Sequence, residues 1–334
     1  MKKRKIKKTT ILCITLDLLA LICLLVVYGP FPQFKNWWIT TSLATGDHKW
    51  FANIFYSDNT IQKVLTKNTI IESKQSTDIN KITFNSSKQD TYESIYEEQI
   101  LDRNENDLYK LIKIDEKDYS GYLVVIYDSK RISLETSSKI KFGGQTTLEL
   151  AEEKEAIVAI NASGFARVNG GLLPTGTVIK DGKIYSIGRR NTHGGGLIGF
   201  TKNGVLMLTT DSAEKAIKNG MNDAMTFGPF LIVNGKSAEV KGNGGWGVAN
   251  RTAIAQRKDG IVLFLVIDGR GADGSNGISI LDMIKLFERY GAYNAANLDG
   301  GGSSTLVIEN KIINDPRGYG YTGARYLPNA WTLK

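Results

Sequence analysis

From Thr9 to Tyr28 the chain carries one charge, Asp17, in an otherwise uncharged and largely apolar run of 20 residues. A helix of that length rises about 30 Å, the thickness of a bilayer's hydrocarbon core. Pro30 and Pro32 end it. Residues 9–29 are therefore predicted to be a transmembrane anchor. The run is longer than the apolar part of a cleaved signal peptide, and Tyr28-Gly29-Pro30-Phe31 is a poor cleavage site. Beyond it, Trp50–Leu65 has a rough helical stripe (Ile54, Phe55, Ile61, Val64, Leu65), expected to pack on the main domain. Residues 66–118 are polar. Residues 30–118 as a whole read as a juxtamembrane helix and a stem with little core.

From residue 119 the pattern changes. Gly121–Tyr127 and Ala156–Ile160 are short, β-branched apolar runs of the kind that form buried strands. Val205–Thr209, Phe230–Val233, Thr252–Gln256, Val262–Ile267 and Leu306–Ile308 read the same way. Lys180-Asp181-Gly182-Lys183 and Asn234-Gly235 are hairpin turns. Helices are expected at Thr147–Lys154 and Ile278–Tyr290, the second closed by Gly291. Many strands, frequent turns and few helices predict an α+β fold, with one strand-rich catalytic domain over 119–334.

Charge adds topology. The chain's net charge is +8. Residues 1–8 supply six positive charges and Asp17 takes one back, which leaves about +3 on the rest. The basic tail thus marks a cytoplasmic N-terminus, and the domain is predicted to lie outside a plasma membrane crossed once. So small a surplus, without an aromatic-interleaved basic stripe, argues against a nucleic-acid partner. Both cysteines, Cys13 and Cys23, fall in the anchor, so the outer domain has no disulfide.

Four predicted strands meet polar residues at one end. Ile160 leads to Asn161, Arg251 opens a strand, Ile267 leads to Asp268-Gly269-Arg270, and Leu298 leads to Asp299-Gly300-Gly301-Gly302-Ser303-Ser304. Each alone is ordinary turn chemistry. Together they outline a pocket with two carboxylates, two guanidinium groups and a glycine nest suited to a phosphate. His193, in the glycine-rich and basic loop 189–196, is a pocket lid, a general base or simply part of a mobile loop. No Cys or His cluster has zinc spacing, so no cofactor is assigned; Ca²⁺ on Asp carboxylates and carbonyls stays open.

Asn161 with Gly164-Phe165, Gly228–Lys236, Arg251-Thr252-Ala253-Ile254, Val266–Arg270 and Asn297–Ser304 together resemble the phosphodiester glycosidase family, over roughly residues 120–334 and in the family's order. Where many members carry Asn-Gly-Gly-Phe-Phe, this chain has Asn161-Ala162-Ser163-Gly164-Phe165-Ala166, which changes the shape of that rim. The resemblance implies hydrolysis of a sugar-1-phosphodiester, here in a cell-envelope glycan. It makes Asp299, Asp268 and Arg251 the catalytic candidates, and Asn161, Arg270, Gly300–Ser304 and His193 the substrate-binding ones. A non-catalytic protein that binds anionic glycan and aids polymer assembly is the alternative.

Overall fold

The computed structural model describes residues 8–44, 49–84, 91–188, 194–318 and 320–334. The chain forms two compact units. One runs to Thr69 and includes Val240–Gly247; the other comprises Ile70–Glu239 and Val248–Lys334.

In the smaller unit, helix Lys8–Tyr28 is apolar and unburied along its whole length. It is long enough to cross a membrane. The stripe predicted over Trp50–Leu65 is two helices, Lys49–Phe55 and Asp58–Lys67. The break falls at Ser57, which caps the second helix by accepting a bond from the Thr60 N–H. Helix Pro32–Ala44 supplies the partner face. Ile39 packs with Ala52, Tyr56, Ile61 and Val64, and the Trp38 ring meets Phe55 edge-on at 5.5 Å. Much of the stripe is thus buried within its own helical unit, with Ile54 left exposed, an apolar solution available because Pro32–Ala44 is itself a helix.

The larger unit is built on three antiparallel sheets. The central one has seven strands in the order Lys236–Ser237, Phe230–Val233, Ala292–Asn297, Arg251–Arg257, Val262–Ile267, Ser120–Ile126 and Tyr109–Asp115. A five-stranded sheet orders Lys311–Ile312, Leu306–Ile308, Val158–Asn161, Asn329–Leu333 and Ile132–Thr136. The third orders Leu206–Thr209, Gly196–Thr201, Met221–Phe227, Thr177–Lys180 and Lys183–Ile187. Trp331, Phe230, Phe264 and Phe287 are the bulkiest wholly buried side chains. Both predicted two-residue turns take left-handed backbone, with φ of 52° and 70° at Asp181-Gly182 and 55° and 74° at Asn234-Gly235. That is the geometry matching the right-handed twist of paired strands.

The expected stem is a correction. Residues 70–118 belong to the larger unit. Strand Tyr109–Asp115 edges the central sheet, with Ile112 and Ile114 buried and Lys113 exposed between them. Ile100 and Leu101 are buried in the short helix Ile95–Leu101. Such one-sided burial needs few apolar residues, so a polar composition concealed it.

Helix Ile280–Arg289 buries Ile280, Met283, Ile284, Leu286 and Phe287. Its N-cap is Ser279, whose hydroxyl accepts the Asp282 N–H at 3.1 Å. Ser279→Ala is expected to lower stability by about 1 kcal/mol. Chemical unfolding of the full chain measures this; an unchanged midpoint would remove the cap from the account.

Candidate active site

Antiparallel pairing brings three chain segments to one edge of the central sheet. Arg251, first residue of its strand, lies opposite Ile267, the last of the next. On the other side Ala253 faces Asn297, and the Leu298 N–H donates to the Thr252 carbonyl at 2.9 Å. Arg251, Asp268 and the Asp299 turn therefore share one rim. The five-stranded sheet adds Asn161 at the end of Val158–Asn161, as the strand pattern predicted.

Asn161 is wholly buried and serves as a strut. Its Nδ2 donates to the Asp299 carbonyl at 2.6 Å. Its Oδ1 accepts from the Thr252 hydroxyl at 2.7 Å and the Thr305 N–H at 3.1 Å. The Asp299 N–H in turn donates to the Ala162 carbonyl at 3.1 Å. Two sheets thus fix the backbone of Asp299. The amide expected to meet a sugar is engaged in the protein's own frame.

The glycine segment is also more structural than the sequence suggests. Gly301–Ser303 is a single 3₁₀ turn. The Gly301 N–H donates to the Asn250 carbonyl at 2.9 Å, and the Ser303 and Ser304 N–H groups close onto Gly300 and Gly301 at 3.2 Å each. Most of the predicted donor nest is thus committed before any ligand arrives. Glycine is needed here for approach: a Cβ on Gly300 would lie 2.9 Å from the Asn250 carbonyl oxygen, and Gly301 has φ +61°. Gly302 and Ser303 are buried within the turn.

Two carboxylates with displaced acidities sit on this rim. Burial pushes Asp299 up to about 6, opposed by the Ser303 side chain, the nearby Arg325 charge and the Gly300 N–H. The residue as a whole is half-buried. Asp268 is only 1% exposed. Burial pushes it up to about 6 as well, with added repulsion from Asp273 and Asp315. One carboxylate oxygen of Asp268 accepts from Asn314 Nδ2 at 2.9 Å and from the Asp315 N–H at 3.2 Å. Asn314 Nδ2 also donates to the Ser304 carbonyl at 3.1 Å, which links the Asp268 and Asp299 loops.

The cations differ in availability. Arg251 is 5% exposed, and burial lowers its pKa to about 10, so it stays charged at neutral pH. Arg270 has left-handed backbone (φ +58°) and donates from Nη1 to the Arg317 carbonyl at 2.6 Å. Arg317 is paired with Asp315. Arg325 lies over the Phe165 ring, 4.6 Å from its centre. His193 falls outside the described residues. Among the described residues no three His, Cys, Asp or Glu side chains gather to hold a metal ion.

The sequence reading left Asn314, Asp315, Arg317 and Arg325 without roles. Asn314-Asp315-Pro316 carries a turn signal that points to the first two. Nothing local marks Arg325, which reaches the rim only through the tertiary fold. Asn250 was passed over beside its charged neighbour. It is fully buried, with neither amide atom partnered.

The sequence profile of the phosphodiester glycosidase family matches residues 154–334, just over half of the chain. The chain belongs to this family. Among similar proteins, a prophage-derived uncharacterized protein of Bacillus subtilis (strain 168) is 35% identical over 183 residues, which is 51% of this chain and 27% of that protein. N-acetylglucosamine-1-phosphodiester alpha-N-acetylglucosaminidase from Bos taurus is 27% identical over 192 residues, 51% of this chain and 34% of that enzyme. The Homo sapiens enzyme of the same name is 28% identical over 192 residues, again 51% of this chain, and 35% of its own. The matched stretch is thus a quarter to about a third of these relatives' length. The solved catalytic domain of the zebrafish enzyme, auto-inhibited by its pro-peptide, superposes with a TM-score of 0.56 at 19% identity, covering 69% of this chain and 85% of that one. The phosphodiester glycosidase domain of this chain therefore shares that fold, and its family-matched segment holds Asn161, Arg251, Asp268 and Asp299.

Proposed function

We propose that the chain is a phosphodiester glycosidase held in the plasma membrane by helix Lys8–Tyr28, with its catalytic domain outside, hydrolysing a sugar-1-phosphodiester of a cell-envelope glycan. The observation that carries this reading is the gathering of Arg251, Asp268 and Asp299 on one rim in a member of this family. The six basic residues among positions 1–8, ending at the helix's first residue, support the orientation.

Water attacks the anomeric carbon, the bond from that carbon to the phosphate oxygen breaks, and the free sugar and a phosphomonoester leave. Phosphate departs readily, so the main demands are a base for water and compensation of negative charge. Asp299 is the less buried of the two acidic residues, and it takes the proton from water. Asp268, buried and tied to Asn314, supplies the second carboxylate of the rim, whose charge steadies the positive anomeric centre. Arg251 supplies positive potential from beneath.

Carboxylates titrating near 6 are mostly ionised at neutral pH yet remain useful bases. A base must be ionised to work. Activity is therefore expected to rise with pH through about 6 and level off above it, read from kcat/KM between pH 4.5 and 8. A maximum at pH 5 or below would assign the rate to a protonated group instead. The function itself is tested by incubating the full chain in detergent with a panel of sugar-1-phosphodiesters and measuring released sugar. Binding without release would favour the glycan-binding alternative.

A further inference from the structure

We propose that Arg325, laid on the ring of Phe165, is the guanidinium that receives the phosphoryl group of the ligand at the Asp299 turn. This rests on the reading of the site as a sugar-phosphodiester pocket and names the group that grips its anion.

A phosphodiester brought to a carboxylate needs a cation with donors to spare. Three other arginines near the rim are enclosed or already engaged. Arg251 is almost fully enclosed. Arg270 spends Nη1 on the Arg317 carbonyl, and Arg317 is paired with Asp315. Arg325 is different. Among the described residues its guanidinium forms no hydrogen bond and no ion pair, and its recorded partner is the Phe165 ring at 4.6 Å. Stacking holds a guanidinium by its face and consumes none of its five N–H donors, which lie along the edges. It is half-buried and close enough for its charge to act on Asp299. Its root is fixed two residues on, where Leu327 and Gln145 exchange backbone bonds at 2.7 and 3.2 Å. A stacked, anchored and unspent fork is pre-organised for two parallel bonds to phosphate oxygens.

The turn next to it supports the same ligand. The N–H groups of Gly301, Ser303 and Ser304 are spent on the protein, so most of the turn's own donors are closed to an anion. The Ser304 hydroxyl is buried without a partner. An anion at this turn thus depends mainly on a side-chain cation, and Arg325 is the arginine whose guanidinium carries no hydrogen bond or ion pair among the described residues.

The test is calorimetry of inorganic phosphate binding to the full chain in detergent, with Arg325→Met, Arg325→Lys and Phe165→Leu beside the unaltered protein. Arg325→Met is expected to weaken phosphate about tenfold or more, and Arg325→Lys to restore part of it, because charge returns without the fork. Phe165→Leu should weaken it severalfold through loss of the stack. On a hydrolysed sugar-1-phosphodiester, Arg325→Met should raise KM by more than it lowers kcat. Unchanged phosphate affinity in Arg325→Met, with an unchanged melting temperature, overturns the proposal; so does an unaltered protein that binds no phosphate. Phosphate binding through Arg325 without turnover of any sugar phosphodiester keeps this inference and sinks the catalytic reading.

Discussion

Asp299→Asn is expected to lower hydrolysis of a sugar-1-phosphodiester by about 10²–10⁴-fold, the usual contribution of a positioned general base. The frame around the residue should survive the change. Its N–H is held by the Ala162 carbonyl and its carbonyl by Asn161 Nδ2, bonds that do not involve the side chain. An amide matches the carboxylate in shape, so the substitution asks little of the neighbouring packing. Removing a charge that burial already disfavours should leave the melting temperature unchanged or slightly higher. Released sugar and thermal melts on the same preparation therefore separate chemistry from folding. Full activity in Asp299→Asn would sink the catalytic assignment, whereas lost activity with a collapsed melt would return Asp299 to a structural role.

The parts of this architecture legible in the sequence are those whose signals are local. The turns at Asp181-Gly182 and Asn234-Gly235 and the strands Phe230–Val233, Val262–Ile267 and Leu306–Ile308 fall where pattern and turn chemistry place them. Strand Met221–Phe227 was hidden by Asp223, a buried acid that breaks the apolar run. Its carboxylate is satisfied by the Leu134 and Asp181 N–H groups and by Lys180, none of which is near in sequence. Strand Gly196–Thr201 was masked by Gly199, which packs against the Asp223 carbonyl and Ala224 of its neighbour. The helix Pro32–Ala44 was obscured by its proline and tryptophans, although proline is well tolerated in a first helical turn.

The site divides along the same line. Arg251, Asp268 and Asp299 could be named because each stands where a strand meets a turn, and antiparallel order then collects them. What each does with its bonds was not legible. Asn161 looks like a ligand to a sugar and is a strut between sheets; the glycines look like a phosphate nest and are a closed turn. Hydrogen-bond accounting in three dimensions decides such questions, since a donor spent on the protein is lost to a substrate.

Asp268 shows the cost of keeping a charge in such a place. Its folded pKa of about 6 lies above its ordinary value of 3.8, so the folded state favours the neutral acid. The sign follows from linkage. Stability is highest below the unfolded pKa, falls as pH rises from about 4 to 6, and is constant above, where the ionised group costs at most about 3 kcal/mol. Asp268→Asn removes that charge. An amide oxygen there can still accept from Asn314 and the Asp315 N–H, and the repulsion from Asp273 and Asp315 disappears. The variant is therefore expected to melt several degrees higher than the unaltered chain at pH 7–8 and to converge with it near pH 4. Its activity should fall by about 10²-fold or more, because the rim loses one of its two carboxylates. Melts across pH 4–8 distinguish this from a simple packing change, which would shift stability equally at every pH. A uniform shift, or no gain over the unaltered chain at pH 8, would show that the ionised Asp268 carboxylate carries no net cost in the fold. Stability gained together with activity lost would mean that the buried charge is maintained for chemistry.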